Sequence, residues 1–331
     1  MRPLPEPAMP HPAMRDPAMP HPDRPRVLIV SLHHPELVRG GAQRVAYDLF
    51  QALQSHPDIA PVLLASADDR WPALFKSGAR ITGFDGRPGE YLFLSRDYDH
   101  WLHKATVPAL VETFAAFLEE VRPEVVHFHH FMTLGVELIS VARRVLPEAR
   151  IVFTFHEFLA LCAADGQMVR RTDGTLCAGP SAVRCHQCFP DRPPELFHAR
   201  RLWLQAHLRH VDLFTVPSRF MAAPYIAWGV PEERIAHVPN GVFSEAETVP
   251  VLPARPGPKT RFGFFGQFVP NKGLPIILAA IALLRAEGVG GFTVELNGDN
   301  LREAPAALQT MLAEALAAEA ERPVAERILS S

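Results

Sequence analysis

The amino-acid sequence predicts an α/β protein built on parallel sheets, with one complete doubly wound unit followed by part of a second. Three observations predict this class. From residue 26 onwards, short continuous apolar runs, typical of strands buried on both faces, alternate with amphipathic helical stretches. A proline-rich linker is expected at 243–260. After it the alternation starts again, but over fewer elements.

Composition sets the first limits on function. The chain has 331 residues, of which 48% are hydrophobic and 21% are charged. These proportions suit a protein with a sizeable core and exclude a mostly disordered chain. The net charge of -3 provides no basic footprint, so we expect no nucleic-acid partner. No run of about 18 apolar residues is present, and no membrane-spanning helix is expected.

Residues 1–25 form a separate proline-rich tail. Nine of the 33 prolines lie there, and the motif Pro-Ala-Met-Pro-His-Pro occurs at 7–12 and again at 17–22. The tail has no apolar period from which a core could form, so we expect it to be disordered with polyproline II character. It is either a ligand for a partner domain or an inert tail that precedes a later start methionine.

The elements of the first unit, residues 26–242, follow from their local patterns. Residues 27–30 are a continuous apolar run and begin the sheet. Residues 42–55 and 107–121 each place their apolar side chains on one helical stripe. The other predicted strands are 61–65, 125–128, 151–155, 213–216 and 235–238, and the other predicted helices are 135–145, 194–209 and 219–228. The stretch 66–106 shows no clear pattern.

The second unit, residues 261–331, repeats the alternation. Its predicted elements are a strand at 262–265, a helix that begins near Pro275 and runs to about 284, a strand at 292–296 and a helix at 303–320. Pro275 fits the first turn of a helix, because the N–H that proline lacks would be unpaired there in any case. Residues 328–329 could open a third strand.

Candidate functional residues follow the strands, where parallel α/β sheets bind their ligands. Gly40 and Gly41 end the loop after the first strand and open a helix, whose N-terminal N–H groups could bind a phosphate. They do not form the Gly-x-Gly-x-x-Gly motif of dinucleotide sites. His156 follows strand 151–155 and could position a substrate group. A histidine satisfied by the backbone fits the same position.

The loop at 266–273 joins a strand to a helix and contains one lysine, Lys272. A flexible cation beside a helix N-terminus can clamp a diphosphate. A plain surface lysine is the alternative.

All four cysteines fall in one segment. Cys185 and Cys188 form a Cys-x-x-Cys pair, and Cys162 and Cys177 lie upstream of it. Four thiolates could hold a structural zinc ion in tetrahedral geometry, which leaves no open position for catalysis. Zinc ribbons usually have two such pairs, so disulfides and unligated thiols remain alternatives.

Taken together, these segments resemble the family 4 retaining glycosyltransferases of the GT-B fold. The resemblance covers roughly residues 26–300 and rests on the order and spacing of its motifs. They are Gly40-Gly41-Ala42-Gln43-Arg44-Val45, Val125-Val126-His127-Phe128-His129, Phe153-Thr154-Phe155-His156-Glu157, Val216-Pro217-Ser218-Arg219, Val238-Pro239-Asn240-Gly241-Val242 and the loop Gly266 to Gly273.

The resemblance implies a GT-B-like fold with two Rossmann-like domains facing each other across a cleft. The acceptor-side domain would be residues 26–242, with a cysteine-rich insertion at 157–193, and residues 261–331 would be part of the donor-binding domain. The implied reaction moves a sugar from a nucleotide-sugar donor to a glycan or lipid-linked acceptor with retention of configuration. No catalytic metal or other cofactor is implied.

The resemblance also implies roles for single residues. Lys272 would bind the donor diphosphate, Gly40 and Gly41 would approach it from the other domain, and His156 would contact the donor sugar. Gln267 and Gly298 are also assigned to the donor site. Gln267 departs from the arginine often found there, and this weakens one contact because glutamine carries no charge.

The family's Glu-x7-Glu pair, which holds the sugar and ribose hydroxyls, has no convincing counterpart in this chain. About half of the donor domain is therefore expected to be missing, and the 331-residue chain is expected to transfer little or no sugar. A non-catalytic remnant that binds acceptor and a GT-B sugar-nucleotide epimerase are the alternatives. The expected location is the cytoplasm, at the inner membrane face if the acceptor is lipid-linked.

Overall fold

The computed structural model describes residues 24–75, 78–95, 98–243, 257, 259–298, 301–302, 304–318 and 328–330. The chain divides into two compact units, Met1–Glu247 and Thr248–Ser331. The predicted tail at 1–25 lies outside the described residues except for its last two, and most of the predicted linker at 243–260 lies outside them as well.

Parallel strands dominate the first unit. In chain order its strands are β1 (Arg26–Ser31), β2 (Ala60–Ala67), β3 (Ile81–Gly83), β4 (Glu90–Leu94), β5 (Tyr98–Asp99), β6 (Lys104–Ala105), β7 (Val125–Phe128), β8 (Arg150–Thr154), β9 (Leu213–Val216) and β10 (Ile235–His237). Eight of them form one sheet in the order β10-β9-β8-β7-β1-β2-β4-β3, while β5 and β6 pair as a separate hairpin. Within the large sheet the antiparallel pair is β3 with β4.

The helices of the first unit cover both faces of this sheet. They are α1 (Gly41–Gln54), α2 (Pro108–Val121), α3 (Glu137–Val145), α4 (Ala182–Cys188), α5 (Pro194–Leu208) and α6 (Arg219–Trp228). On one face Ile29 and Leu63 pack against Ala46 and Phe50 of α1. On the other face the alternate strand residues pack against α2, α3, α5 and α6 in the main core.

Local signals explain where several elements begin and end. Ser218 precedes α6 and its hydroxyl accepts a hydrogen bond from the N–H of Met221, at 3.3 Å. Gly229 ends the same helix with a φ of 116°, a conformation that favours glycine. Strands 125–128 and 213–216 and helix 219–228 have the predicted bounds, and the predicted α/β fold class is confirmed.

The second unit contains a smaller parallel sheet. Its strands β11 (Arg261–Phe265), β12 (Thr293–Asn297) and β13 (Ile328–Ser330) lie in that order, so the third strand expected at 328–329 is present. Its helices are α7 (Leu274–Ala286) and α8 (Ala306–Ala318), and Pro275 lies in the first turn of α7 as predicted. The core of this unit joins Leu274 and Leu278 of α7 to Leu296 of β12 and Leu308 of α8.

The helices that the structure describes include none that is both long enough and apolar enough to cross a membrane.

Candidate functional site

The carboxyl ends of β8, β7 and β1 bring the candidate residues of the first unit to one edge of the sheet. These strands are parallel neighbours in the sheet, so the segments that follow them meet there. His156 follows β8, His129 and His130 follow β7, and the segment that leads to Gly40 and Gly41 follows β1. Topology thus gathers residues that are more than a hundred positions apart in the chain.

Gly40 and Gly41 lie at the N-terminus of α1. Gly40 is the N-cap residue of α1 and has an extended backbone. No side-chain hydrogen bond from the described residues caps the helix at this position. The first turn of α1 contains no acidic residue. A Cβ atom on Gly41 would meet no atom of the described chain within 4 Å, so the space beside it is open. An anion could therefore approach the N–H groups of this helix end.

His156 lies two residues beyond β8 and is half-buried. The N–H of Phe155 donates to the carbonyl oxygen of Thr215 at 2.9 Å and so extends the pairing with β9 up to the histidine. Nε2 of His156 lies 3.0 Å from Nδ1 of His129. Burial lowers the pKa of His156 to about 4, so the ring is neutral near pH 7. A neutral imidazole offers one donor and one acceptor to its neighbours.

Glu157 organises the turn that follows His156. One carboxylate oxygen accepts a hydrogen bond from the N–H of Leu159, and the other lies 3.5 Å from Nε2 of His130. The phenol of Tyr225 donates to the carbonyl oxygen of Glu157 at 2.7 Å. Burial raises the pKa of the Glu157 carboxyl to about 7.

Arg200 on α5 also holds this turn and was not among the residues predicted from the sequence. Its buried guanidinium donates to the carbonyl oxygens of Leu159 at 2.7 Å, Ala160 at 2.9 Å and Trp101 at 2.9 Å. It therefore fixes the segment that begins with His156 and Glu157. The signal that could have found it is its spacing, because Arg200 shares a helix face with Phe197 and Leu204, both of which are buried.

A cavity of about 560 Å³ lies next to this edge, within the first unit. Its walls come from α1, from β7, β8 and β9, and from residues 238–243 after β10, which include the Val238-Pro239-Asn240-Gly241-Val242 motif. His127, Thr154 and Thr215 form a polar chain on its floor. Nε2 of His127 lies 2.7 Å from Oγ1 of Thr154, which lies 2.6 Å from Oγ1 of Thr215. His129 lines the same cavity, with its ring centroid 4.3 Å from that of His127.

The candidate residues of the second unit lie at the carboxyl edge of its own sheet. Lys272 is exposed and ends a short 3₁₀ turn, Pro270–Lys272, just before α7. Gln267 lies in the same loop, and Gly298 follows the neighbouring strand, β12. A Cβ atom on Gly298 would overlap the carbonyl oxygen of Gly266 and lie 2.7 Å from the ring of Phe268. Close packing alone therefore requires glycine at 298.

The four cysteines line one small cavity of about 20 Å³. Cys185 and Cys188 lie one turn apart on α4, Cys162 lies in the turn after Leu161, and the N–H of Cys177 closes a short hairpin at 2.8 Å from the carbonyl oxygen of Met168. Burial, with a smaller contribution from the three other thiols, raises the pKa of Cys185. In the described part of the chain, no three His, Cys, Asp or Glu side chains are arranged to hold a metal ion.

This chain matches a known protein family over more than half of its length. The sequence model of Glycosyltransferase Family 4 matches residues 39–245, a range that includes Gly40, Gly41, His156 and all four cysteines. No match is found among curated proteins.

Two solved structures share the fold at low sequence identity. Alr3699/HepE of Anabaena, solved in complex with UDP, is 13% identical with a TM-score of 0.51, and the match covers 92% of this chain and 68% of that one. The N-terminal domain of trehalose-6-phosphate phosphatase from Candida albicans is 12% identical with a TM-score of 0.57, and the match covers 92% and 71%. The fold is GT-B-like. Because the family model matches more than half of this chain, the chain belongs to glycosyltransferase family 4.

Proposed function

We propose that the protein transfers a sugar from a nucleotide-sugar donor to a glycan or lipid-linked acceptor, with retention of configuration at the anomeric carbon. The observation that carries this proposal is the family match over 39–245, which spans the edge where His156 and the N-terminus of α1 lie. The complex of Anabaena HepE with UDP supports a nucleotide as the leaving group. The proposed location is the cytoplasm, at the inner membrane face for a lipid-linked acceptor.

In this proposal the protein stabilises the leaving nucleotide without a catalytic metal. Lys272 supplies a positive charge beside the start of α7, and Gln267 adds a neutral hydrogen-bond donor in the same loop. Gly41 leaves the space beside the N-terminus of α1 open to the negatively charged donor, whereas the space beside Gly40 is occupied by the side chain of Gln43. Charges and dipoles that are already oriented before the reaction stabilise the developing charge most effectively. His156, a neutral ring, contacts the donor sugar.

Lys272→Ala is expected to weaken nucleotide-sugar affinity by about 10-fold or more, because a charged contact to the diphosphate is lost. A thermal-shift screen of UDP-, GDP- and ADP-sugars first identifies the preferred nucleotide base. Isothermal titration calorimetry then measures the affinity for that nucleotide sugar. Lys259→Ala, an exposed lysine of the same unit, is the matched control and should leave the affinity unchanged. Equal affinities for all three proteins would contradict the assignment of Lys272.

Any sugar transfer or donor hydrolysis that the chain catalyses is expected to fall by about 100-fold in His156→Ala. His207→Ala is the control, because His207 is also a half-buried neutral histidine and bonds Ser140 at 2.6 Å instead. The same assay without acceptor tests the epimerase alternative, which requires epimerised nucleotide sugar as the product. A chain that binds no nucleotide sugar would favour the non-catalytic remnant.

We also propose a structural zinc ion at Cys162, Cys177, Cys185 and Cys188. The zinc site is supported by the position of the four thiols, which line one cavity. To coordinate the ion, the thiols would move closer together. Protein purified without added metal is expected to contain about one zinc ion per chain by ICP-MS. The Cys185→Ser, Cys188→Ser double variant should lose it, and His186→Ala, within the same Cys-x-x-Cys pair, should retain it. Less than about 0.2 zinc per chain would exclude the site.

A further inference from the structure

The ring of His156 has a buried partner, His129, that connects it to the interior of the first unit. Nδ1 of His129 lies 3.0 Å from Nε2 of His156, and the two rings meet edge to edge with their centroids 5.2 Å apart and their planes inclined by 22°. His129 is 2% exposed, and its backbone N–H donates to the carbonyl oxygen of Val30 at 2.8 Å. The pairing of β7 with β1 and β8 therefore holds this histidine in place.

The hydrogen bond between the two rings requires a single proton. Burial holds the pKa of His129 well below its usual value and that of His156 at about 4, so both rings are neutral near pH 7. A neutral imidazole carries one N–H, on either Nδ1 or Nε2. Either His129 donates from Nδ1, or His156 donates from Nε2. The choice determines whether the remaining nitrogen of His156 is a donor or an acceptor.

The environment of His129 favours the first arrangement. Its Nε2 is buried and has no hydrogen-bond partner among the described residues. If His129 accepted at Nδ1, its own proton would sit on Nε2 as a buried N–H without an acceptor. Unpaired buried N–H groups are rarer in folded proteins than under-satisfied acceptors. With the proton on Nδ1, the buried Nε2 is only an acceptor.

We propose that His129 is a positioning residue that holds His156 in its Nδ1–H tautomer, by donating from its own Nδ1 to Nε2 of His156. Nδ1 of His156, which has no partner in the described part of the chain, is then a hydrogen-bond donor. Such a group suits a hydroxyl oxygen of the donor sugar. The substrate side of this inference rests on the proposed function, whereas the tautomer does not.

Two-bond ¹⁵N–¹H correlation spectra of protein labelled at histidine measure the tautomer directly, and the missing signal in His156→Gln assigns the resonance. We expect Nδ1–H at His156 in the unmodified chain. His129→Asn should retain it, because an asparagine amide N–H can replace the Nδ1–H of histidine, and His129→Leu should release His156 to a mixture of tautomers. His127→Asn is the matched control, since His127 is a half-buried neighbour whose Nε2 lies 2.7 Å from Oγ1 of Thr154.

An Nε2–H tautomer at His156 in the unmodified chain would overturn the inference, whatever the protein catalyses. Loss of the tautomer preference in His127→Asn as well as in His129→Leu would also overturn it, since a general loosening of the core would then explain both. If the expected tautomer is found in a chain that neither binds nor transfers a nucleotide sugar, the proposed function fails while the positioning role stands. In an active enzyme, His129→Leu should lower kcat by about 10-fold or more with a smaller change in KM. His129→Asn should restore most of this loss.

Discussion

Replacement of Arg200 by methionine is expected to lower the free energy of unfolding of the first unit by about 3–5 kcal/mol. Methionine retains much of the apolar stem but none of the donors, so the carbonyl oxygens of Leu159, Ala160 and Trp101 lose this partner. Because Arg200 is only 4% exposed, water cannot readily replace the guanidinium. Urea denaturation followed by circular dichroism measures the change.

Arg201→Met is the matched control for this prediction. Arg201 is the next residue of α5 but is exposed, and it donates to the carbonyl oxygen of Trp228, which also accepts from Gln205. Its replacement should therefore cost less than about 1 kcal/mol. Similar losses for the two variants would show that the burial of Arg200 and its three carbonyl contacts do not contribute more stability than the exposed contact of Arg201.

Acidification from pH 7 to pH 5 is expected to lower the free energy of unfolding of the first unit by more than about 4 kcal/mol. Burial lowers the pKa of His103 to about 2, of His130 to about 3, and of His127 and His156 to about 4. Below pH 6.5 these histidines take up protons in the unfolded chain but not in the folded one. Stability must then fall as the pH falls, by about 2 kcal/mol for each histidine.

Two glutamates act in the opposite direction. Burial raises the pKa of Glu137 and of Glu157 to about 7, so in the window from pH 4.5 to 7 the folded state binds their protons more tightly than the unfolded state does. Acidification therefore stabilises the fold through them, by about 2 kcal/mol for Glu137 and by less for Glu157, whose side chain is 35% exposed. The histidines outweigh them. Urea denaturation at pH 5, 6 and 7 measures the net effect, and unchanged or higher stability at pH 5 would contradict the prediction.

Most strands and helices were predictable because their signals are local. Continuous apolar runs mark the buried parallel strands, and Ser218 and Gly229 mark the two ends of one helix. The stretch 66–106 was not predictable, since β4 begins with Glu90, a charged residue that is buried beside His34, with Oε2 at 2.8 Å from Nε2. His34, 56 residues away in the chain, makes the burial of Glu90 possible, and a local sequence pattern cannot predict so distant a partner.

Some residues of the candidate site were likewise predictable from local sequence, whereas others depend on contacts between distant segments. His156, Gly40 and Gly41 were predictable because they follow apolar runs in a parallel α/β pattern, where ligands bind. His129 could be recognised as a histidine near the site, but its contact with His156 spans 27 residues and exists only because β7 and β8 pair side by side. Arg200 reaches its carbonyl partners across 40 and 41 residues within the same region.

Residue periodicity and motif spacing were sufficient to predict most of the elements, the α/β class and the family, because both are properties of the chain read in one dimension. Local patterns could not predict which side chains surround His156, that Arg200 and not Arg201 holds the turn beside it, or that the four cysteines line one cavity. These contacts depend on strand pairing and helix packing between distant segments, and their distances are set by the folded sheet.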